Sequence, residues 1–308
     1  MDAATIQKKN LLQEGDTFPY GMPVEHCQAE KCWQQLEQTL DIQKQQQAID
    51  LFNQHHDWQK KALSFMPVCF AIAFTTTFLN QASALVHIYT DGSVSVSTGA
   101  VEMGQGVKMK LRQIAANSLG LSLDKIKVET TNTSRIANMS PTSASVGADL
   151  NGHATQIACE QLVQRLLHVA ATQLNTSIDS LSLKQETVYQ QGKSSHLSWI
   201  ELINNAYLQR MSLSEQAHYA TPNLRWDRND KQKNSRPFAY HVFGTAITEV
   251  SLDCLLGTYH IDRVSIVHDA GNSLNPLIDR GQIEGGLVQG IGWMTLEEIQ
   301  YDSQGHLL

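Results

Sequence analysis

Hydrophobic and polar positions follow recognisable periods along the 308 residues, and the period changes several times. Residues 28–54 are rich in Gln, Glu, Lys and Leu, with Cys32, Leu36 and Leu40 four apart and Ile49 and Phe52 three apart. Such spacing lines one helix face and predicts one or two amphipathic surface helices. From Pro67 a continuous apolar run, VCFAIAF, takes over, and its length suits a strand buried on both faces better than a core helix. Two alternating segments, ALVHIYT and SVSVSTG, then flank Asp91-Gly92. They predict a β-hairpin closed by a type I′ turn, since Gly accepts the positive φ such a turn requires.

A Gly-rich loop leads into KMKLRQIAANSLG, read as a helix with Met109, Leu111 and Ile114 on neighbouring turns and Gly120 as its stop. A strand is expected over 125–130, and a long helix over about 148–174, with Leu162, Leu166 and Val169 as its buried stripe. Ser198 and Glu201 have the spacing of a capping box, predicting a short helix through Leu208. The polar, charged segment 222–237 reads as a loop or linker. TAITEVSLDCL and TYHIDRVSIVHD form a second hairpin around Leu256-Gly257, before a helix over about 277–294. Hairpins and helices in blocks give an α+β class, with no repeat of fixed period.

Composition narrows the function classes. A formal charge of -7, from 23 basic and 30 acidic residues without a basic run, leaves no electrostatic footprint for nucleic acid or anionic lipid. The apolar stretch 65–74 is too short to span a bilayer, and the first residues lack the apolar core of a signal peptide. Cys27, Cys32, Cys69, Cys159 and Cys254 are odd in number and lack C-x-x-C pairs, which fits a reducing, cytoplasmic setting rather than a disulfide framework or a zinc or iron-sulfur site.

Three places combine small residues with a helix start. In Glu102-Met-Gly-Gln-Gly106, backbone N–H groups and a helix N-terminus could face an anion, unless this is only a tight strand-to-helix turn. In SPTSASVG, residues 140–147, hydroxyls and amides that could serve an anion precede the long helix, and taken alone ordinary N-capping by Ser or Thr is the better explanation. The third, GQIEGGLVQGIG from Gly281, holds many glycines in a helical pattern. Each costs on the order of 1 kcal/mol relative to Ala, so a backbone or a cofactor is expected to approach closely. Gln282 and Gln289 offer amides there, whereas Glu284, His87, His153 and His268 read as structural or surface groups.

These loops, in this order, carry a resemblance. KKNLLQEGD, FTTTFLNQASALVHIYTDGSVSVSTGAVEMGQG, SPTSASVGADLNG and SLNPLIDRGQIEGGLVQGIGWMTLEE resemble the second molybdopterin-binding domain of the xanthine dehydrogenase and aldehyde oxidase family over nearly the whole chain. The resemblance implies a domain over 67–308 truncated at its C-terminal end, with 1–66 as its helical lead-in. It implies a molybdenum-molybdopterin cofactor that delivers water-derived oxygen to a purine or an aldehyde, xanthine or hypoxanthine being favoured. Met103, Gly104 and Gln105 would contact the pterin through the backbone and Gln282 would hydrogen-bond it. Ala144 would lie by its backbone at the metal, with Ser145, Val146, Gly147 and Ala148 completing the pocket. Gly147 and Ala148 depart from the hydroxyl residues often found at those places. Phe74 would stack on a flat substrate, with Thr75 beside it.

No catalytic residue is assigned within the chain. The family's general-base glutamate belongs to a Gly-Glu-Pro segment expected after residue 308, and other cofactor and substrate loops are expected before residue 1. Iron-sulfur (2Fe-2S) and FAD centres are expected on other domains or a partner subunit, in a dimeric complete enzyme. The 308-residue chain alone is expected to be inactive, and a non-catalytic isolated domain is the rival reading.

Overall fold

The computed structural model describes residues 2–227, 229 and 235–308. In chain order the first elements are α1 (Ala3–Lys9), α2 (Ala29–Leu40), α3 (Ile42–His55), β1 (Gln59–Ile72), β2 (Gln81–Ile88), β3 (Val94–Thr98) and α4 (Val107–Leu119). There follow β4 (Ile126–Val128), α5 (Gly147–Leu174), β5 (Leu181–Lys184), β6 (Thr187–Gln190), β7 (Lys193–Ser198) and α6 (Trp199–Leu208). The last are β8 (Ser214–Ala220), β9 (Tyr240–Asp253), β10 (Thr258–His268) and α7 (Pro276–Thr295). The class is α+β, as the alternation of hairpins and helical blocks predicts. Of the expected loop 222–237, residues 228 and 230–234 lie outside the described residues.

The chain divides into two units. The first comprises Met1–Asn80, Ala144–Val146 and Thr221–Gly271. Its antiparallel sheet has the order β1-β9-β10, with β1 and β9 in register from Gln59↔Asp253 to Ile72↔Tyr240. Trp33 and Leu36 of α2 pack with Phe65 and Ile247 on one sheet face, and the Trp33 ring stacks on Phe65 at 4.5 Å.

The apolar run differs from its expected form in two ways. The strand begins at Gln59 rather than Pro67, and it is not buried on both faces, since Met66, Val68 and Phe70 are exposed. β1 is an edge strand, and among the described residues the helices cover one side of its sheet. Hydropathy alone does not distinguish a face that meets core from one that does not. The position 66/67, expected to end a lead-in, lies inside this strand.

The second unit comprises Gln81–Ser143, Gly147–Ala220 and Asn272–Leu308. Its main sheet has the order β4-β3-β2-β8. β2 alternates strictly between half-buried and buried residues, while β3 is buried throughout. β4 joins β3 in parallel through α4, forming one βαβ unit among otherwise antiparallel pairs. Against the sheet lies α5, whose Ala158, Cys159, Leu162 and Leu166 are buried among Val86, Val96, Trp199 and Leu202. The buried face of α4 is Leu111, Ala115 and Leu119, while Met109 is exposed. β5, β6 and β7 form a separate small meander that hydrophobic periodicity does not announce.

The β2–β3 hairpin is present, but its turn is not type I′. Gly92 N–H donates to the Tyr89 carbonyl at 2.8 Å and Tyr89 N–H to the Ser93 carbonyl at 2.9 Å, and Gly92 has φ +82° while Asp91 does not have a positive φ. This is a three-residue loop with the left-handed residue last. The predicted capping box is formed by Ser198 and Glu201, and Gly120 ends α4 at φ +66°.

Gly120 also marks a close approach. A Cβ built there would lie 2.4 Å from the Leu183 carbonyl oxygen, a backbone atom with no side-chain freedom to retreat. Gly120→Ala is therefore expected to lower stability by more than the roughly 1–2 kcal/mol cost of left-handed alanine alone. Urea unfolding monitored at Trp199, buried in the same core, reads this out, and an unchanged midpoint would contradict the packing described.

Candidate functional site

The expected site residues fall on both units. Phe74, Thr75, Ala144, Ser145 and Val146 belong to the first, and Met103, Gly104, Gln105, Gly147, Ala148 and Gln282 to the second.

In the second unit the first Gly-rich loop follows the carboxyl end of β3 and opens α4, the place in a βαβ unit where ligands commonly bind. Its amides do not all face outward. The Glu102 carboxylate accepts from Gly104 N–H at 2.9 Å, Gly106 N–H at 3.0 Å and Lys108 N–H at 3.0 Å. Partial burial pushes the Glu102 carboxyl up, but these three donors outweigh it and hold the group below its ordinary value. The charge that the α4 N-terminus favours is thus supplied from within the loop.

Met103 N–H is taken by Gln105 Oε1 at 2.6 Å, and Gln105 Nε2 returns to the Val101 carbonyl at 2.9 Å. Of the amides from Met103 to Gly106, only that of Gln105 has no acceptor among the described residues. Gly104, at φ +96°, has open space where a Cβ would point.

This loop meets the other two reversals inside the second unit. Val101 N–H donates to Thr142 Oγ1 at 3.0 Å, and a Cβ on Gly147 would sit 3.8 Å from Thr142 Cγ2 and 4.0 Å from Val107 Cγ2. On the other side, a Cβ on Gly106 would come within 2.8 Å of the Ile278 side chain. Lys110 Nζ reaches Asp279 Oδ1 at 2.6 Å, and Gln113 Nε2 donates to the Leu274 carbonyl at 2.9 Å. Burial raises the Asp279 carboxyl, but hydrogen bonds from Lys110 and Ser273 keep it below its usual range. Asn275 caps α7 by accepting from Ile278 N–H at 3.1 Å.

Around residue 144 the backbone itself is unusual. Ala144 and Ser145 have φ +56° and +58°, two successive non-glycine residues in the left-handed region. Each costs on the order of 1 kcal/mol or more, and such strain concentrates at ligand sites. Ser145 is exposed, Ala144 half-buried and Val146 buried. Gly147 and Ala148, both half-buried, begin α5. One turn on, Asn151 is 6% exposed, and its Oδ1 has no hydrogen-bond partner although Nδ2 donates to the Gly147 carbonyl. Sequence periodicity does not single out Asn151, which looks like an ordinary helix residue.

α7 carries five glycines and no buried residue. At Gly281, Gly285, Gly286 and Gly290 a Cβ would meet nothing within 4 Å. Packing within the described chain therefore does not account for them, and the helix fits a role in which something else approaches its backbone. Gln282 and Gln289 are exposed there. Glu284 pairs with Arg280 at 2.6 Å on the surface. His153 stacks on Tyr219 at 4.5 Å, a structural role.

In the first unit Phe74, half-buried, and Thr75, exposed, lie just past the end of β1. A cavity of about 780 Å³ in this unit is lined by Gln7, Trp33, Glu37, Ile42, Gln46 and Phe65, and by none of the expected site residues. Among the described residues no cluster of three His, Cys, Asp or Glu side chains could hold a metal ion, no disulfide forms, and no helix is long and apolar enough to cross a membrane.

Glu102→Ala leaves three loop amides without their shared acceptor and is expected to cost about 2 kcal/mol. Because the folded carboxyl is depressed, its contribution is present above the ordinary carboxylate range and is lost as pH falls through the folded value. Wild type and Glu102→Gln should therefore differ in urea midpoint at neutral pH and converge in acid. A gap independent of pH would show that the charge is not what the amides hold.

A family model described as molybdopterin cofactor-binding domain matches residues 35–308. The chain is 38% identical over 307 residues to a xanthine dehydrogenase/oxidase of Felis catus, covering 100% of this chain and 21% of that protein. It is 37% identical over 301 residues to a xanthine dehydrogenase of Oryza sativa subsp. japonica, covering 98% and 20%. Quinoline 2-oxidoreductase of Pseudomonas putida 86 superposes with a TM-score of 0.80 at 22% identity, over 99% of this chain and 39% of that one. Aldehyde oxidoreductase of Desulfovibrio gigas superposes with a TM-score of 0.74 at 21% identity, over 99% and 30%. The chain spans about a fifth of the length of these dehydrogenase relatives.

Proposed function

The chain belongs to the molybdopterin cofactor-binding domain family, and from that premise we propose that it is part of a molybdenum hydroxylase acting on xanthine or hypoxanthine. The observation that carries this reading is the exposed α7, whose glycines have open space at four of five positions, joined through Lys110–Asp279 to the first turn of α4 and through Ile278 to Gly106 of the loop that opens it. An aldehyde or another N-heterocycle is the alternative substrate, favoured by the likeness in fold to an aldehyde oxidoreductase and a quinoline oxidoreductase.

The residues present suit a flat, polar, sulfur-bearing pterin. Gln282 presents an amide that both donates and accepts. Gln105 offers its N–H, and Gly104 lets a ring approach without a Cβ in the way. Since Met103 and Gly104 spend their N–H groups inside the loop, contacts there fall to their carbonyls and to the Gly104 Cα. Ala144 would face the metal by its backbone, with Ser145, Val146, Gly147 and Ala148 around it, and the strain at 144 and 145 suits a backbone held in place for a ligand. When bound, the cofactor supplies the oxidising centre at which water-derived oxygen is delivered to an electron-poor carbon. Phe74 stacks on the substrate plane and Thr75 borders it.

The general-base glutamate is proposed to come from another segment of the complete enzyme, and 2Fe-2S and FAD centres from other domains or a partner subunit. Five unpaired thiols suit a cytoplasmic protein. Assembly of the complete enzyme as a dimer is part of the same reading.

Metal analysis and a turnover assay of the complete enzyme test it. Molybdenum with xanthine-dependent turnover is expected, and an enzyme without molybdenum would refute the proposal. Turnover of aldehydes but not of xanthine would select the alternative. The 308-residue chain alone should show no turnover, and activity without added subunits would overturn the placement of the base elsewhere. Gln282→Ala in the complete enzyme should lower cofactor occupancy or rate while leaving the unfolding midpoint unchanged. Unaltered molybdenum content and rate would remove Gln282 from the site.

A further inference from the structure

Phe74 lies where its strand has run out. The last backbone bond on that edge is Ala239 N–H to the Ile72 carbonyl, at 2.9 Å. Past it, a side chain takes over the work of a neighbouring strand. Asn80 Oδ1 accepts from Phe74 N–H at 2.8 Å, and Asn80 Nδ2 donates to the Phe74 carbonyl at 2.8 Å. Both polar groups of one residue are thus held by one amide, in the pattern of a hydrogen-bonded antiparallel pair.

The amide is itself fixed. Asn80 is 2% exposed, and Nδ2 also donates to the Thr77 carbonyl at 3.2 Å. Its own N–H donates to the same carbonyl at 3.1 Å, and its carbonyl accepts from Thr221 N–H at 2.9 Å. Few side chains could replace it. Aspartate keeps the acceptor but turns a second oxygen toward the Phe74 carbonyl, while alanine leaves both Phe74 groups without partners.

We infer that Asn80 is a positioning residue: by holding both the N–H and the carbonyl of Phe74 in a buried site, it sets the plane in which the Phe74 ring meets a flat substrate. This rests on the reading of Phe74 as the stacking residue. Substrate affinity then depends on a side chain that touches no substrate, since a stack is worth having only at the correct tilt and distance.

A double-mutant cycle in the complete enzyme separates this from a purely structural role. Phe74→Leu, Asn80→Ala and the double variant are compared by KM and kcat for xanthine, with molybdenum content measured on each. Phe74→Leu is expected to raise KM about 3- to 10-fold, and Asn80→Ala to do the same with molybdenum content unchanged. In the double variant Asn80→Ala should add less than about 2-fold, because no ring remains to be aligned. If Asn80→Ala does not accumulate, Asn80→Asp replaces it in the same cycle with the same expectation.

An Asn80 variant that leaves KM unchanged while Phe74→Leu raises it overturns the inference and spares the stacking reading. So does an Asn80 penalty as large without the Phe74 ring as with it. An unchanged KM in Phe74→Leu instead removes the stacking reading, and the inference falls with it.

Discussion

A backbone that leaves a ladder or enters a helix must find partners for its N–H and C=O groups, and in this chain polar side chains supply them at the places that matter. Glu102 collects three amides at the start of α4. Asn80 closes on Phe74 beyond the end of β1, Asn275 caps α7, and Ser198 with Glu201 caps α6. These bonds turn stretches without regular structure into loops of fixed shape. A glycine-rich loop would otherwise be the most mobile part of the site, since glycine loses the most conformational freedom on ordering. The Lys110–Asp279 pair adds to this, although at roughly a fifth exposure its charges remain partly screened.

Features set by neighbours along the chain are legible from the amino acids alone. Both main hairpins, the stop at Gly120, the capping box and the length of α5 depend on a handful of adjacent residues, and all are found. The small meander β5–β7 is not legible in this way. Its strands are short and largely polar, its turns place Gln185, Glu186 and Gln191 at positive φ, and His196 takes a positive φ within β7 itself, where composition gives no warning. The burial of β1 departs from expectation because an apolar run does not say what lies across from it. At the turn after β2, the residues Asp-Gly suit several loop types, and only the backbone angles distinguish them.

The candidate site is legible as an ordered set of motifs and much less so as atoms. Loop glycines suggest amides free for an anion, yet a carboxylate two residues before the first of those glycines accepts from both glycine amides. Asn80 gives no signal, for an asparagine ahead of a strand resembles any turn residue. The strain at Ala144 and Ser145 is equally hidden, because neither residue type favours the left-handed region. Conversely, the glycines of α7 stand out at once, and the structure sharpens their meaning by showing that the described chain does not press on four of the five, Gly281, Gly285, Gly286 and Gly290.

The pairing of β1 with β9 has a consequence for synthesis. β1 ends at Ile72 and its partner begins only at Tyr240, so the first sheet stays incomplete while most of the second unit, all but its segment from Asn272 on, is made. At ordinary translation speeds that interval is on the order of ten to thirty seconds. Throughout it, an apolar strand with both edges open leaves the ribosome unpaired, the form most prone to stick to a second nascent copy. Lys60 and Lys61 stand at its entrance. Their like charges repel a parallel copy in register until β9 arrives.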